Sequence, residues 1–292
     1  MPFKQVTIIG TGLIGGSLGL ALRKRHLAVS VIGCDRAPVL KRAKDCGAIE
    51  SGVTSVAEAV RGSDLIALAT PVLSILDLIG RLGPALAART LVTDVGSTKE
   101  QIVRQATKAF GRTASQRFLA GHPMAGKEQA GVEFADADLF EGAAWLFTPL
   151  PRQNPHAGLC GEFLHCVEQM GARVALLDPA DHDRFCAWIS HLPQMISTAL
   201  AAALVDEFGP DAPVLDIGGR ALREMTRISG SPYSMWRDVA ISNKKNLADV
   251  LQKLEQRLAH IRENLDTREL AAEFERAHEL RKSQKSEVKL KK

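Results

Sequence analysis

The stretch Gln5-Val-Thr-Ile-Ile-Gly10-Thr-Gly12-Leu-Ile-Gly15 decides the fold of this 292-residue chain. A short apolar, β-branched run, typical of a buried strand, leads directly into a GxGxxG motif, and residues 13–24 continue with a helical pattern. In this context Gly10 permits a tight turn, Gly12 lets the backbone approach a pyrophosphate, and Gly15 lets the helix pack closely on the strand. The order of strand, motif and helix predicts a dinucleotide-binding βα unit rather than a glycine-rich turn without a ligand.

Glycine use divides the chain into two parts, because 17 of the 24 glycines lie in residues 1–150 and none follows Gly230. Glycine is common in tight βα turns and rare in long helices. Amphipathic stretches separate the apolar runs of the first part, as in the βαβ units of a parallel sheet. The predicted strands are Gln5–Ile9, Val29–Cys34, Leu65–Ala69, Leu91–Val95, Arg117–Ala120 and Trp145–Thr148, with Arg173–Leu177 in the second part.

The second part has the pattern of an all-helical domain. Asp178 before Pro179 predicts an N-cap and a helix through about Phe208, and Ser231 before Pro232 repeats that pattern. A heptad-like apolar series follows at spacings of four and three, which favours a homodimer through this part, although such a helix can also pack on its own domain. The series consists of Leu247, Leu251, Leu254, Leu258, Ile261 and Leu265.

We therefore predict an α/β N-terminal Rossmann-type parallel sheet domain at residues 1–150, followed by an all-α C-terminal substrate and dimerisation domain at residues 151–280. Two prolines and several polar residues place the boundary near Leu150–Asn154. Residues 281–292 form a basic tail that we expect to be disordered. The tail holds six basic residues and one acidic residue, so the formal charge of +4 becomes −1 without it, and nucleic acid is not expected as a partner.

The composition is that of an ordinary globular protein, with 46% hydrophobic and 24% charged residues. We find no run of about 18 apolar residues that predicts a membrane span, and no basic-then-apolar leader at the amino terminus. A cytoplasmic protein without a membrane partner is therefore expected. The five cysteines have no CxxC pairing, which predicts reduced thiols and no metal site.

Asp35 indicates which dinucleotide binds, because it ends the second predicted strand, 20 residues beyond Gly15. A carboxylate at this position accepts hydrogen bonds from the ribose hydroxyls and repels a 2′-phosphate, which favours NAD. Arg36 keeps NADP open, since a guanidinium binds phosphate well. The predicted cofactor contacts are Gly10, Gly12, Leu13, Ile14, Gly15, Asp35, Arg36, Thr70 and Pro71.

Two further polar turns follow predicted strands: Ser97 lies in the turn Asp94–Lys99, and His122 lies in the turn Gly121–Gly126. Ligands of open α/β sheets bind at the carboxyl ends of the strands, so both turns are expected at the cofactor crevice. Ser97 also has the position of an N-cap for the helix that follows. A histidine between glycine and proline in such a loop suits acid–base chemistry, because its ordinary pKa of about 6.5 lies near neutrality.

Five segments, in this order, resemble the prephenate/arogenate dehydrogenase family, and the similarity extends from residue 5 to about residue 265. They are GTGLIGGSLGLAL at 10–22, TDVGSTK at 93–99, GHPMAGKEQAGVE at 121–133, Asp181–Asp183 with Ile189–Pro193, and Met235–Asp238. GHPMAG and SHLP together are specific to the family, whereas GxGxxG alone is not. The resemblance implies an enzyme that oxidises and decarboxylates prephenate or L-arogenate with NAD or NADP, in the branch of metabolism leading to tyrosine.

The resemblance also implies roles for single residues. In the family, the histidine of GHPxAG takes the proton of the ring C4 hydroxyl as hydride leaves C4, and here that residue is His122. The serine of the GS(V/T)K turn hydrogen-bonds the same hydroxyl region, here Ser97. The arginine of the MWRD segment binds a substrate carboxylate, here Arg237, and the SHLP helix lines the ring pocket, here with Ser190 and His191.

Several of these residues have a structural alternative. Arg237 can form a salt bridge with Asp238, and His191 can be a core histidine in the helix that the nearby proline is expected to kink. Gln194 stands where many relatives have the second histidine of SHLPH, and this pattern resembles arogenate-using relatives. Lys127 stands where a hydroxylated residue often follows GHPxAG. Both are predicted substrate contacts, and the choice between prephenate and arogenate stays open.

Two other functions stay open as alternatives. A hydroxyacid dehydrogenase with a Rossmann domain and a helical domain would place a catalytic lysine in the helical half, where Lys244 and Lys245 occur. A dinucleotide-sensing regulator would bind NAD and a protein partner without turnover, and it would not need His122.

Overall fold

A computed structural model of the chain describes residues 3–83, 86 and 89–289. One eight-stranded sheet has the strand order β3-β2-β1-β4-β5-β6-β7-β8. All neighbouring strands are parallel except β6 and β7, which are antiparallel. The strands are β1 Phe3–Ile9, β2 Ala28–Cys34, β3 Ser51–Val53, β4 Leu65–Leu68, β5 Leu91–Asp94, β6 Phe118–Pro123, β7 Ala144–Thr148 and β8 Arg173–Leu176.

The predicted Rossmann-type sheet followed by helices is confirmed, with two differences in detail. Strand β3, which has only three residues, was not predicted. The expectation of a parallel sheet is wrong at β7, which runs antiparallel to β6. The predicted domain boundary near residues 150–154 stays a prediction, although β8 follows it and belongs to the same sheet.

The helices of the first half connect the strands. They are α1 Leu13–Lys24, α2 Ala37–Asp45, α3 Val56–Ala59, α4 Val72–Leu82, α5 Glu100–Phe110, α6 Ala114–Arg117 and α7 Gly158–Gln169, with 3-10 turns at Gly111–Thr113 and Val132–Phe134. The helix predicted for residues 13–24 is confirmed at both ends. Its first turn follows the GxGxxG motif directly, so the free N–H groups of α1 lie at the carboxyl end of β1.

The second half is helical after β8. Its helices are α8 Pro179–Cys186, α9 Leu192–Phe208, α10 Pro213–Asp216, α11 Arg220–Thr226, α12 Tyr233–Ser242, α13 Lys244–Glu263 and α14 Arg268–Lys289, with a 3-10 turn at Arg227–Gly230. The chain divides into two compact units, one ending at Lys244 and one beginning at Lys245.

Both predicted helix starts can be checked. The carboxylate of Asp178 accepts a hydrogen bond from the N–H of Ala180 at 2.8 Å, which confirms the N-cap of α8. The expected cap at Ser231 is wrong: α12 begins at Tyr233 after an N-cap at Pro232, without a side-chain hydrogen bond.

A π-helical turn at Ala187–His191 joins α8 to α9 just before Pro193. A proline inside a helix cannot donate to the carbonyl four residues earlier, and its ring pushes that carbonyl away. The wider π turn accommodates this disruption, and it is the local distortion that the proline predicted.

Two apolar layers cover the faces of the sheet. On one face, Val6 and Ile8 of β1 belong to the same cluster as Trp145 and Phe163, whose rings meet edge to face at 6.1 Å between centroids. On the other face, a second cluster joins alternate strand residues to α4 and α5. Burial of each such side chain contributes roughly 1.5–3 kcal/mol, so the two layers fix the strand ends that form the site.

The unit that begins at Lys245 contains most of α13 and all of α14. An ion pair of 2.7 Å between Arg257 and Glu273 joins these two helices. In the predicted heptad-like series, Leu247 is buried, whereas Leu258 and Leu265 are exposed. Helix α14 continues to Lys289, so the structure gives a helix where a disordered tail from residue 281 was expected, and residues 290–292 lie outside the described residues.

The stretch Pro179–Phe208 corrects the expectation that no segment has the length and apolar composition of a membrane span. Its mean hydropathy reaches 1.2 over 18 residues, and it is the one helix in the described ranges that meets this criterion. A single stretch of this kind is weak evidence for a membrane, because a helix of a globular protein meets the same criterion. This one carries buried His182 and Asp183, whose polar side chains are paired inside the protein.

Candidate active site

A cavity of about 860 Å³ opens at the carboxyl ends of β1, β2 and β4. Among the predicted cofactor residues, Gly10, Asp35, Arg36 and Thr70 line it. The other predicted contacts are outside this lining but adjacent to it in sequence: Gly12 to Gly15 begin α1, and Pro71 precedes α4. The hydroxyl of Thr70 is buried without a hydrogen-bond partner among the described residues, so it is available to a ligand.

The three motif glycines differ in what a side chain would meet. Gly10 has φ +94°, and a Cβ there would lie 2.5 Å from the carbonyl oxygen of Ala69. A Cβ on Gly15 would collide with the carbonyl of Gly10, whereas a Cβ on Gly12 would meet no atom within 4 Å. Gly10 and Gly15 are therefore required by the fold, and the open space beside Gly12 fits the close approach of a pyrophosphate.

Asp35 holds the glycine-rich turn against the end of β2. Its Oδ2 accepts a hydrogen bond from the N–H of Thr11 at 2.9 Å, and its Oδ1 accepts one from the N–H of Arg36 at 2.7 Å. A carboxylate has about four acceptor positions, so Asp35 retains capacity for ribose hydroxyls. The residues present thus fit a dinucleotide.

His122 is the penultimate residue of strand β6 and is one end of a hydrogen-bonded chain of three side chains. Its Nδ1 is 3.0 Å from Nε2 of His182, and Nδ1 of His182 is 2.9 Å from Oδ1 of Asp183. A carboxylate only accepts, so Nδ1 of His182 carries the hydrogen and its Nε2 accepts from Nδ1–H of His122. This order leaves Nε2 of His122 without a hydrogen, and among the described residues that atom has no hydrogen-bond partner.

Asp183 is itself held by the start of α5. Its Oδ1 accepts from the N–H of Lys99 at 2.6 Å, and its Oδ2 accepts from the N–H of Glu100 at 3.0 Å. These are unpaired N–H groups of a helix start, which a carboxylate stabilises. The alternative that Ser97 caps this helix is wrong, because the cap comes from Asp183, 84 residues further along the chain.

Lys99 and Asp94 form a fully buried ion pair. The Lys99 ammonium also donates to the carbonyl of Gly121 at 2.7 Å, next to His122. Burial lowers the pKa of Lys99 and raises the pKa of Asp94, and each partner opposes the shift of the other. The side chain of Lys99 therefore does not reach solvent. Instead it joins the end of β5, at Asp94, to β6, at Gly121.

The electrostatic surroundings keep His122 neutral. Burial holds its pKa well below the usual 6.5, and the charges of His182, Lys99 and His191 act in the same direction. Burial also lowers the pKa of His182, although Asp183 opposes this shift. A neutral imidazole with a free Nε2 is a proton acceptor, so His122 has the protonation state that a general base requires.

His191, at the end of the π turn, is fully buried. Its Nδ1 is 3.2 Å from the amide nitrogen of Asn243, and its ring meets that of Trp236 edge to face at 6.0 Å between centroids. Burial lowers its pKa to about 4. Nε2 of His191 and Nε1 of Trp236 have no partner among the described residues, which makes them available for a ligand.

Arg237 lies half-exposed on α12 and pairs with Asp238. Its Nε and one terminal nitrogen donate to Oδ1 of Asp238 at 3.0 and 2.8 Å. The other carboxylate oxygen accepts from the N–H of Leu73 at the start of α4, 3.1 Å away. The salt bridge considered as an alternative thus exists, and it holds the guanidinium beside the helix that lines the cavity.

Three other predicted substrate contacts lie outside the hydrogen-bonded chain of His122, His182 and Asp183. Ser190 is half-buried in the π turn. The amide nitrogen of Gln194 donates to the carbonyl of Ile228 at 2.9 Å. Lys127 donates to the carbonyl of Phe134 at 3.0 Å, so no contact in the structure brings it to His122. Their roles stay predictions, as does that of Ser97, whose hydroxyl has no partner among the described residues.

His182 and Asp183 belong to one of the family-like segments, but no role was predicted for them. Their one sequence signal is a His-Asp pair in the first turn of a helix, which is also common on protein surfaces. Asp94 was quoted as the start of a polar turn without a role, although its partner Lys99 is only five residues away. Cys186 was missed because its neighbour His122 is 64 residues away in the sequence.

Comparisons with known proteins agree with the resemblance. A family model described as "prephenate dehydrogenase, nucleotide-binding domain" matches residues 18–176, and one described as "prephenate dehydrogenase, dimerization domain" matches residues 178–280. A curated prephenate dehydrogenase of Lactococcus lactis is 31% identical over 260 residues, covering 88% of this chain and 70% of the relative.

Two solved structures are similar over nearly the whole chain. Prephenate dehydrogenase of Aquifex aeolicus, in complex with hydroxyphenyl propionate and NAD⁺, has a TM-score of 0.84 and 29% identity, covering 99% of both chains. Arogenate dehydrogenase of Synechocystis has a TM-score of 0.72 and 28% identity, covering 97% of this chain and 98% of the other.

The three-residue chain predicts the effect of Asp183→Asn. An amide has one acceptor oxygen where the carboxylate has two, so an NH₂ group would face an N–H of α5 or of His182. We expect kcat to fall about 10- to 100-fold, as for partners that orient a functional histidine, and the free energy of unfolding to fall by about 1–3 kcal/mol. Steady-state kinetics and urea denaturation measure the two effects.

The matched control is Asp181→Asn, on the exposed side of α8. Equal kinetics for Asp183→Asn and this control would refute the role of Asp183 in orienting His182 and His122.

Proposed function

The chain belongs to the prephenate dehydrogenase family, and from this premise we propose that it converts prephenate, L-arogenate or both by NAD-dependent oxidative decarboxylation. The products would be 4-hydroxyphenylpyruvate and L-tyrosine. The single observation that carries the proposal is the hydrogen-bonded chain from Asp183 through His182 to Nδ1 of His122, which leaves Nε2 of His122 for a substrate.

The position of His122 in the sheet supports a role beside the nicotinamide. β6 lies three strands from β1, or about 14 Å at the usual spacing of 4.8 Å. Gly12 and the start of α1 would hold the pyrophosphate, and Asp35 would hold the adenosine ribose. When bound, NAD supplies the acceptor for a hydride. His122, at the same edge of the sheet, would then face the reacting carbon.

The proton step follows from the orientation of the imidazole. Nε2 of His122 accepts the proton of the C4 hydroxyl, and the positive charge that forms is stabilised through His182 by the carboxylate of Asp183. Loss of the ring carboxylate as CO₂ makes the ring aromatic, which drives the reaction forward. The site therefore has to align the substrate and accept one proton.

Arg237 is proposed to bind a substrate carboxylate. A guanidinium pairs with carboxylates through parallel N–H donors, and Asp238 engages only some of the donors of this side chain. Ser97, Ser190, His191, Gln194 and Lys127 are proposed as further contacts, with His191 supported by its unpartnered buried Nε2. Gln194 can face an ammonium or a keto group, so an assay with each substrate and each of NAD and NADP determines the preference.

A homodimer is part of the proposal. Helix α9 exposes Val205 and Phe208, and the stretch before it exposes Trp188 and Ile189, so an apolar surface is available to a second copy. The match to a model described as a dimerization domain covers these residues. Free cysteines are usual in a reducing compartment, which supports the proposed cytoplasmic location.

The two alternatives predict different behaviour. A hydroxyacid dehydrogenase would use a lysine of the helical half, but the side chains of Lys244 and Lys245 are exposed. A regulator without turnover would bind NAD and leave both substrates unchanged, so CO₂ release coupled to NAD reduction argues against both alternatives.

Replacement of His122 tests the proposed base. In His122→Asn we expect kcat to fall by a factor of about 10²–10⁴, the usual contribution of one acid–base group. The Kd for NAD should stay the same, because the cofactor residues lie at other strands. His165→Asn, an exposed histidine on α7, is the control. Full activity of His122→Asn would overturn the proposed function.

Replacement of Arg237 separates substrate binding from cofactor binding. A hydrogen bond to a charged group contributes about 1.5–3 kcal/mol, so Arg237→Ala should raise KM for the substrate roughly 10- to 150-fold. NAD affinity, measured by fluorescence titration, should not change. Arg220→Ala, an exposed pair with Glu224, is the control. An unchanged KM together with weakened NAD binding would assign Arg237 to the cofactor instead.

A further inference from the structure

Three buried side chains form a compact cluster around His122. Nδ1 of His122 lies 3.0 Å from Nε2 of His182, and Sγ of Cys186 lies 3.6 Å from the same Nε2 and 3.9 Å from Nδ1 of His122. All three donor atoms lie within 4.8 Å of one another. Cys186 has no part in the proposed proton transfer, so the chemistry proposed so far does not explain a thiol at this position.

The separations correspond to the edges of a tetrahedral zinc site. With Zn–N distances of about 2.0–2.1 Å and a Zn–S distance of about 2.3 Å, two nitrogens are about 3.3 Å apart, and nitrogen and sulfur are about 3.6 Å apart. The observed nitrogen pair is slightly closer, and the longer sulfur distance slightly exceeds that value. Shifts of a few tenths of an ångström therefore bring all three atoms to one ion.

We propose that His122, His182 and Cys186 bind a thiophilic divalent cation such as Zn²⁺, and that the bound ion inactivates His122 as a base. Thiolate and imidazole ligands select Zn²⁺ over Mg²⁺ or Ca²⁺. Asp183, which accepts from Nδ1–H of His182, is the partner that zinc-binding histidines commonly have. The absence of CxxC pairing had led us to expect no metal site. Spacing along the sequence could not relate Cys186 to His122, which is 64 residues away.

Binding changes the protons of the cluster in a defined way. Nε2 of His182 already offers a lone pair. Nδ1 of His122 gives up its hydrogen, which moves to Nε2 of the same ring, and the thiol of Cys186 loses its proton to solvent. Without the ion that thiol is neutral, because burial raises its pKa to about 12. The ion therefore displaces one proton and turns Nε2 of His122 from an acceptor into a donor.

The charges around the cluster can accommodate the ion. Lys99 opposes a cation, but it is paired with Asp94, and Asp183 adds a second carboxylate. With Cys186 as a thiolate, three negative groups balance the ammonium of Lys99 and a divalent ion. The proposed base His122 keeps 7% of its surface exposed, which gives the ion access from the crevice.

Co²⁺ titration of the metal-free protein tests the binding without using activity. A thiolate ligand gives a charge-transfer band in the near ultraviolet, and tetrahedral coordination gives strong visible bands. We expect both bands to saturate at one ion per chain in the wild type and in Cys166→Ala, a control that removes a buried thiol from α7. Both bands should be lost in Cys186→Ala. Bands that survive in Cys186→Ala, or their absence from the wild type, would overturn the proposal.

Inhibition of NAD reduction by Zn²⁺ is the second test, and this test rests on the proposed function. Zn²⁺ should inhibit NAD reduction by the wild type and by Cys166→Ala, with reversal by EDTA, and the inhibition constant should be at least tenfold weaker in Cys186→Ala. Mg²⁺ should not inhibit. If Cys186→Ala does not fold, Cys186→Ser replaces it in both assays. Cobalt bands without turnover of either substrate would support the metal site and refute the proposed function. Turnover that Zn²⁺ does not affect would support the proposed function and refute inhibition by a metal at this site.

Discussion

The carboxylate of Asp183 is the constraint on which the candidate active site depends. It accepts hydrogen bonds from the first N–H groups of α5 and from the imidazole of His182. The first two bonds attach α8, a helix of the second half of the chain, to the start of α5. The third determines which nitrogen of His182 carries hydrogen, and through it which nitrogen of His122 does. One side chain thereby links the fold to the protonation state of the proposed base.

Burial completes this arrangement. His122 lies among Lys99, His182 and His191 in a site that disfavours a positive charge, so its pKa is low and its imidazole is neutral. The buried pair of Lys99 and Asp94 is costly to desolvate, and such pairs add little net stability. Both partners instead hydrogen-bond the backbone of Gly121 in β6, so the pair holds the end of β5 and the residue before His122 in fixed positions. His122 and His182, together with the thiol of Cys186, also supply the three ligands of the proposed metal site.

Local signals in the sequence predicted most of the fold. The glycine motif predicted the start of α1, and Asp178 with Pro179 predicted the start of α8, because turns and caps depend on residues within one helical turn. Strand β3 was missed because three residues are too few to show a periodic pattern. The antiparallel direction of β7 was missed because it depends on the path of the long connection between Pro123 and Ala144. The capping role predicted for Ser231 failed because Pro232 took the cap position without any side-chain bond.

The site was predictable only in part. His122 was found because it lies between glycine and proline at a strand end, and its family resemblance gave it a role. His182 and Asp183, which lie about 60 and 84 residues from their partners, carry no local signal that links them to His122 or to α5. Pairings of this kind arise only when the sheet and the second half of the chain come together.

The tautomer of His122 tests the account most directly. Nitrogen NMR of histidine-labelled, metal-free protein at neutral pH, assigned by comparison with His122→Asn, reports the hydrogen on each ring nitrogen. We predict a neutral ring with hydrogen on Nδ1 and none on Nε2. A protonated imidazolium at neutral pH, or a neutral ring with its hydrogen on Nε2, would contradict it.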